Sequence, residues 1–243
     1  MLREHSTAEI YQRIFEPSTD EGPSGFKNPP RPFAFRASHL DGQSFGAGDS
    51  FYFDLNLFDT RLESILAIQR AFEALGSAGL GPARGTAELQ ILEEPALVTF
   101  SLEEDGPEVR ELRIDLVTPL ELKARGEVTE DLDFQVLFSR IRDRISTLRS
   151  LYGSGPLEID FRGMGLRAGE VRRTGGELER TRRERRSSRT GQVHGIGGLT
   201  GWCAYRGRLR EFLPYLRVAE WCGVGRHCVW GKGQIRVNAG QEM

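Results

Sequence analysis

The stretch GVGRHCVWGKG, residues 223–233, concentrates four glycines and three side chains that carry or can carry positive charge. It lies between a helix-like segment and a strand-like segment. Glycine allows positive φ and lets other atoms approach the backbone closely. Amide N–H groups in such a loop can bind phosphate oxygens. We therefore predict an anion-binding loop, formed by Gly223, Gly225, Arg226, Gly231, Lys232 and Gly233.

Two common nucleotide-binding motifs do not fit this loop. A Walker loop has four residues between its first glycine and the Gly-Lys pair, followed by Ser or Thr. Here five residues separate Gly225 from Gly231, and Gly233 occupies the Ser/Thr position. A dinucleotide fingerprint requires a third glycine where Cys228 lies, and it runs from strand to helix. The loop therefore predicts anion binding of another kind.

The hydrophobic pattern of the chain predicts a mixture of helices and strands. Apolar residues recur at helical spacing over residues 62–75, 132–151 and 209–221. Strand-like runs occupy residues 32–36, 51–57, 87–92, 97–102, 109–117, 169–173, 198–205 and 234–237. A parallel sheet is one alternative, but the short spacing between strands favours antiparallel pairs. We therefore predict an α+β protein of two tandem ferredoxin-like domains, at residues 1–125 and 126–243.

Charge is distributed unevenly along the chain. Residues 1–139 carry 12 Lys/Arg and 25 Asp/Glu, whereas residues 140–243 carry 21 Lys/Arg and 10 Asp/Glu. All but one of those 21 basic residues are Arg. Arg binds phosphate bidentately and stacks on bases, which Lys cannot do. The pattern indicates that the C-terminal half binds a polyanion, although a solvated charged surface would look the same.

The composition fits a globular protein, with 38% hydrophobic and 28% charged residues. We find no secretory signal and no apolar run of about 18 residues, the length of a membrane span, so we expect a cytoplasmic protein. The three cysteines, Cys203, Cys222 and Cys228, are too few and too irregularly spaced for a disulfide framework. Buried thiols are favoured over metal ligands, and no metal or cofactor is expected.

The glycine-rich loop resembles that of the CRISPR-associated RAMP superfamily, whose pattern is Gly-apolar-Gly, five residues including a base, and Gly-apolar-Gly. Lys232 departs from this pattern, because an apolar residue usually stands between the last two glycines. The surrounding segments resemble, more specifically, the endoribonuclease that processes CRISPR repeat transcripts. These segments are residues 23–25, 29–33, 118–120, 186–189, 197–201, 205–207, 212–217 and 219–220.

The resemblance implies two ferredoxin-like domains and cleavage of repeat RNA, stem-loop or unstructured, without a metal. The ribose 2′-OH would attack the adjacent phosphate, leaving a cyclic phosphate and a 5′-OH. CRISPR effector subunits are further expected partners. One alternative is a non-catalytic RAMP subunit that holds guide RNA. A second is an unrelated RRM-like RNA-binding protein, although the RRM aromatic signature is not evident.

The implied chemistry needs a base, an acid and cations. Histidine suits the first two roles, and the candidates are His39, His194 and His227, since His5 lies at the terminus. If no histidine acts, the catalysts would be Tyr205, Lys232 or Arg226.

The run RTRRERRSSR, residues 180–189, either binds the phosphates of the repeat hairpin or forms a solvated loop. Its expected RNA-binding residues are Arg182, Arg183, Arg185, Arg186 and Arg189. Trp202, Trp221 and Trp230 are candidates for stacking on bases, although for Trp221 a place in the core is favoured.

Overall fold

The computed structural model describes residues 7–17, 29–81, 83–124, 126–181, 184–186, 193–195 and 197–240. The helices are α1 (Ala8–Phe15), α2 (Leu62–Ala78), α3 (Phe134–Tyr152), α4 (Phe161–Ala168) and α5 (Leu213–Cys222). The strands are β1 (Phe33–Arg36), β2 (Asp54–Leu57), β3 (Glu111–Leu120), β4 (Lys123–Ala124), β5 (Glu127–Val128), β6 (Arg172–Thr181), β7 (Glu184–Arg186), β8 (Val193–Gly195), β9 (Gly198–Arg206) and β10 (Ile235–Ala239). Short 3₁₀ turns lie at Ser38–Leu40, Arg210–Phe212 and Cys228–Trp230.

The C-terminal part of the chain forms a four-stranded antiparallel sheet in the order β10-β3-β9-β6. Its principal elements follow one another as strand, helix, strand, strand, helix, strand, with α3 and α5 as the principal helices. This is the split β-α-β arrangement of a ferredoxin-like unit. Burial alternates along all ten residues of β3, so one face of the sheet lies on the core.

Helix α3 covers that face with the apolar stripe predicted from its spacing. Asp133 caps the helix, since its carboxylate accepts the N–H groups of Gln135 and Val136. An aromatic cluster forms the centre of the core, with Phe138 and Phe212 ring centroids 4.6 Å apart. The buried stripe comprises Phe134, Leu137, Phe138, Ile141, Ile145 and Leu148.

The N-terminal part is built on the β1–β2 hairpin, whose apolar side chains pack with those of α1 and α2. Ile14, Phe33 and Ile68 form its small core. The strands predicted at residues 87–92 and 97–102 are wrong, because the structure places both segments outside strands, with Leu92 and Leu97 more than 70% exposed. Alternation alone does not make a strand when no partner strand pairs with it.

Two helices were not predicted. Both α1 and α4 have eight residues, too few for a clear helical period, and α4 contains two glycines. The strand predicted at residues 169–173 is largely wrong, since residues 169–171 connect α4 to β6. The domain boundary at residue 125 remains a prediction, and it would separate β3 from both of its partners, β9 and β10.

Candidate active site

The glycine-rich loop begins where α5 ends. Gly223, Gly225, Gly231 and Gly233 all have positive φ, between 69° and 79°. Glycine adopts positive φ without steric cost, which explains why glycine occupies these four positions. His227 also has positive φ, 64°, a conformation that few non-glycine residues adopt.

The loop is packed against its own protein, not held open. A Cβ on Gly225 would lie 2.3 Å from the carbonyl oxygen of Glu121, and one on Gly233 would lie 1.9 Å from that of Val224. Several amides also donate internally: Val224 N–H to Gly233 O at 2.8 Å, and Gly233 N–H to Pro119 O at 3.0 Å. These glycines therefore leave room for main-chain atoms of the protein itself. The N–H groups of Val224 and Gly233 already donate within the protein and are not available to a phosphate.

The second half of the loop lies against β1 and the turn that follows it. Gly231 faces the carbonyl oxygen of Phe35, and a Cβ there would approach it to 3.3 Å. Lys232 Nζ is 3.9 Å from Asp41 Oδ2, with only 12% of the lysine side chain exposed. The loop is thereby brought beside the segment that carries His39.

The C-terminal end of α5 is held by three side chains from other elements. Arg36 donates to the carbonyl oxygens of Glu220 and Trp221, the latter at 2.6 Å, and Asn56 donates to Trp221 O at 2.9 Å. Arg144 Nε donates to Cys222 O at 3.0 Å. Burial lowers the pKa of Arg36. Cations at this end also offset the negative pole of the helix dipole.

Sequence reasoning missed this contact set. Arg142 and Arg144 lie beside the apolar stripe of α3, and both side chains are buried, at 9% and 8% exposure. Arg36 closes β1, where a charged residue usually marks an exposed strand end. No local signal in the sequence distinguishes these arginines from surface ones, because their partners are main-chain oxygens distant along the chain.

His39 lies in the 3₁₀ turn after β1 and is exposed. Its Nε2 is 2.8 Å from the carbonyl oxygen of Tyr52, and its ring stacks on the Tyr52 ring at 4.5 Å. A carbonyl oxygen only accepts hydrogen bonds, so Nε2 must carry the proton. In the neutral ring, Nδ1 is then left able to accept a proton, as a general base does.

The other two candidate histidines occupy different settings. His227 lies within the glycine-rich loop, its ring parallel to that of Trp230 at 4.8 Å. His194 lies in β8, opposite Arg185 of β7 in the strand register. Of the expected RNA-binding arginines, Arg185 and Arg186 are in β7, whereas Arg182, Arg183 and Arg189 lie outside the described residues.

The structure buries one of the three alternative catalysts and pairs the other two with carboxylates. Tyr205 is fully buried, its hydroxyl donates to Leu132 O at 2.7 Å, and burial raises its pKa. Arg226 is about half exposed but forms an ion pair with Glu121. Lys232 is also paired with a carboxylate, that of Asp41, and only 12% of its side chain is exposed.

One of the three tryptophans is more exposed than predicted. Trp221 was expected in the core but is 41% exposed and contacts the Phe100 ring. Trp230 is 40% exposed, beside His227. The guanidinium carbon of Arg113 lies over the Trp202 ring, 4.2 Å from the ring centroid.

All three cysteines are free and buried, and burial raises the pKa of Cys222 to about 11. Within the described ranges, no group of three or more His, Cys, Asp or Glu side chains is arranged to hold a metal ion. Over the same residues, no helix has both the length and the apolar character needed to cross a bilayer.

Comparison with solved structures gives consistent matches. The product complex of Cas6 (TTHB231) from Thermus thermophilus is 16% identical over 98% of this chain and 89% of that chain, with a TM-score of 0.62. The product complex of Cas6 (TTHA0078) is 18% identical over 95% and 88%, with a TM-score of 0.54. At such identities the likeness shows the fold, α+β with tandem ferredoxin-like units.

The same Cas6 (TTHA0078) in a substrate-mimic complex is 19% identical over 86% of this chain and 85% of that chain, with a TM-score of 0.51. A search of curated protein sequences finds no match. One family model, described as an N-terminal domain, matches residues 3–104. Another, described as CRISPR-associated endoribonuclease Cas6, matches residues 114–235, which is half of the chain. The chain therefore belongs to the Cas6 family of CRISPR-associated endoribonucleases.

Proposed function

We propose that this Cas6-family endoribonuclease binds CRISPR repeat RNA and cuts it through attack of a ribose 2′-OH on the adjacent phosphate. The products would be a cyclic phosphate and a 5′-OH. The observation that carries the proposal is the setting of His39, which is exposed, held by the Tyr52 carbonyl in one tautomer, and set on the segment that Lys232 contacts.

Each chemical role has a candidate. His39 Nδ1 would accept the proton of the 2′-OH, and Lys232 would stabilise the charge that develops on the phosphate oxygens. His227 and His194 are the candidates for the acid that protonates the leaving 5′-oxygen. A solved structure of Cas6 (TTHA0078) carries a histidine-to-alanine mutation, which supports testing histidine first. Because the nucleophile belongs to the RNA, no metal is required to generate it.

The same relatives support RNA as the ligand. Solved Cas6 structures include product and substrate-mimic complexes. In this chain we assign phosphate binding to the arginine-rich run, Arg182, Arg183, Arg185, Arg186 and Arg189, and to Arg226 and Lys232 at the glycine-rich loop. CRISPR effector subunits remain predicted partners, and co-purification with a tagged chain from its own host would test them.

The test uses two repeat RNAs that differ only at the cut site. The all-ribose RNA should be cut once in excess EDTA, and the product should carry a cyclic phosphate. RNA with 2′-H at the cut site should bind with similar affinity and remain intact. A strict requirement for Mg²⁺ in the chemical step, or cleavage of the 2′-deoxy RNA, would refute the mechanism. Binding without any cleavage would favour the non-catalytic RAMP role.

A further inference from the structure

The connection between β1 and β2 is longer than its pairing requires. The two strands pair directly, Arg36 opposite Asp54, yet residues 37–53 separate them along the chain. Antiparallel hairpins usually need about two to five loop residues. Long ordered loops in compact domains are commonly functional. His39 lies near the start of this loop and Tyr52 near its end, and the Tyr52 carbonyl oxygen accepts the His39 hydrogen bond.

A tight turn at the tip of this loop brings two aromatic rings together. Asp49 N–H donates to Gly46 O at 3.2 Å, and the Asp49 carboxylate accepts Gly46 N–H at 2.7 Å. Gly48 contributes a φ of 89°. Phe45 and Phe51 flank the turn, and their ring centroids lie 5.0 Å apart. The turn therefore fixes an aromatic pair in place.

These rings face solvent. Phe45 is 44% exposed, Phe51 is 41% exposed, and the adjacent Tyr52 is 58% exposed. Three large aromatic side chains in one surface loop are costly to leave in water unless they contact a ligand. Tyr52 stacks on His39, so the aromatic surface continues to the proposed catalytic histidine.

The charge of the loop restricts what this ligand contacts. Residues 41–53 include Asp41 and Asp49 but no Lys or Arg. Such a segment offers phosphate no cation of its own, while its rings can stack on any base, since every nucleobase has a π-face. A base inside a duplex is already stacked on its neighbours. An unpaired base is the part of an RNA that this surface fits.

We propose that Phe45 and Phe51 form a stacking site for an unpaired nucleobase of the RNA close to the bond that is cut. The proposal rests on the proposed function for its choice of RNA as ligand. Phe45 and Phe51 would then determine specificity, requiring a single-stranded nucleotide beside the cleavage site.

The test measures affinity and not cleavage, using repeat RNA with 2′-H at the cut site. Phe45→Ala and Phe51→Ala should each weaken binding by about 5- to 150-fold, the usual worth of one base–aromatic contact. Leu166→Ala removes a 63% exposed apolar side chain from α4 and should leave binding unchanged. Thermal unfolding would confirm that the variants fold equally well, as expected for exposed positions.

An abasic scan then distinguishes stacking from other effects. One abasic substitution at an unpaired nucleotide should weaken binding to the parent protein by a similar factor, and should weaken binding to Phe51→Ala little further. The proposal would be overturned if both Phe variants bound RNA with unchanged affinity. It would also be overturned if the variants bound more weakly but no abasic substitution weakened binding to the parent protein. In the first case the aromatic surface would serve a protein partner. A parent that binds RNA but never cuts it refutes the proposed catalysis and leaves this test intact.

Discussion

Arg36 donates a hydrogen bond to the main-chain oxygen of Trp221 at 2.6 Å, which ties the last residue of β1 to the last turn of α5. Asn56 of β2 donates to the same oxygen. His39 follows three residues after Arg36, and the glycine-rich loop begins two residues after Trp221. The contact therefore sets the position of one half of the candidate site relative to the other half.

The first prediction concerns this contact. Arg36→Ala leaves partly buried carbonyl oxygens without their donor, so the free energy of unfolding should fall by about 1–3 kcal/mol. Cleavage should fall as well, because His39 and the loop lose their fixed spacing. Arg36→Lys keeps the charge, but its ammonium lies one bond short of the Nη2 atom that donates to both carbonyls, so it should be intermediate. Denaturant unfolding and single-turnover cleavage measure the two effects.

The matched control is Arg70→Ala, which removes an arginine from the exposed surface of α2. It should leave both unfolding and cleavage unchanged. If Arg36→Ala behaves like this control, the contact does not hold the site together.

The second prediction separates the two reasons for glycine in the loop. Gly126 and Gly225 have similar positive φ, 88° and 79°, but a Cβ on Gly126 meets open space and one on Gly225 meets Glu121 O. Gly126→Ala should cost about 1–2 kcal/mol through backbone conformation alone. Gly225→Ala should cost roughly 1–3 kcal/mol more through the clash. Equal losses of unfolding free energy would show that close packing at Gly225 is unimportant.

The loop glycines illustrate which structural features can be predicted from the sequence and which cannot. The sequence showed glycine, which allows positive φ, at the four loop positions that adopt it, and the periodicity located α3 and its buried stripe. The sequence could not reveal that the approaching atoms belong to Glu121 and Val224, since both contacts depend on how distant segments fold together. The same holds for the Arg36 contacts, and for α1 and α4, which tertiary packing stabilises more than local pattern does.

The third prediction concerns Asp59, a fully buried carboxylate in the N-terminal core. Burial alone would raise its pKa, but hydrogen bonds from Arg13, Arg61 and Ser64 outweigh burial and hold the pKa below its ordinary value of 3.8. The folded pKa is thus lower than the unfolded one. The stabilisation is complete above the ordinary pKa and is lost as pH falls through the folded pKa.

Asp59→Asn should therefore lower the free energy of unfolding at neutral pH by about 1.5–3 kcal/mol, the worth of hydrogen bonds to a charged group. Its unfolding free energy should also decline less steeply in acid than that of the parent. Asp105→Asn, at an exposed position, is the control. Parallel acid profiles for parent and Asp59→Asn would contradict the assignment.

The fourth prediction concerns the arginine-rich run. Replacing Arg182, Arg183, Arg185 and Arg186 with Ala should weaken binding to repeat RNA and flatten its salt dependence. Each lost phosphate contact should reduce the slope of log affinity against log salt by roughly 0.7 to 0.9. Fluorescence anisotropy at several salt concentrations measures the slope. A slope equal to that of the parent would mean that the run is a solvated loop.

The last prediction assigns the base. His39→Ala should slow cleavage by roughly 10²–10⁴-fold, the usual worth of a general base, while binding of uncut RNA changes much less because proton transfer matters only in the transition state. Tyr52→Ala keeps the carbonyl that fixes the His39 tautomer but removes the stacked ring, so its loss in rate should be smaller. His227→Ala and His194→Ala would be measured in parallel, and the one that slows cleavage without weakening RNA binding identifies the general acid.

If all three histidine variants cleave at the parental rate, histidine catalysis is wrong. The chemistry would then fall to Lys232 or Arg226, since Tyr205 is buried in the core.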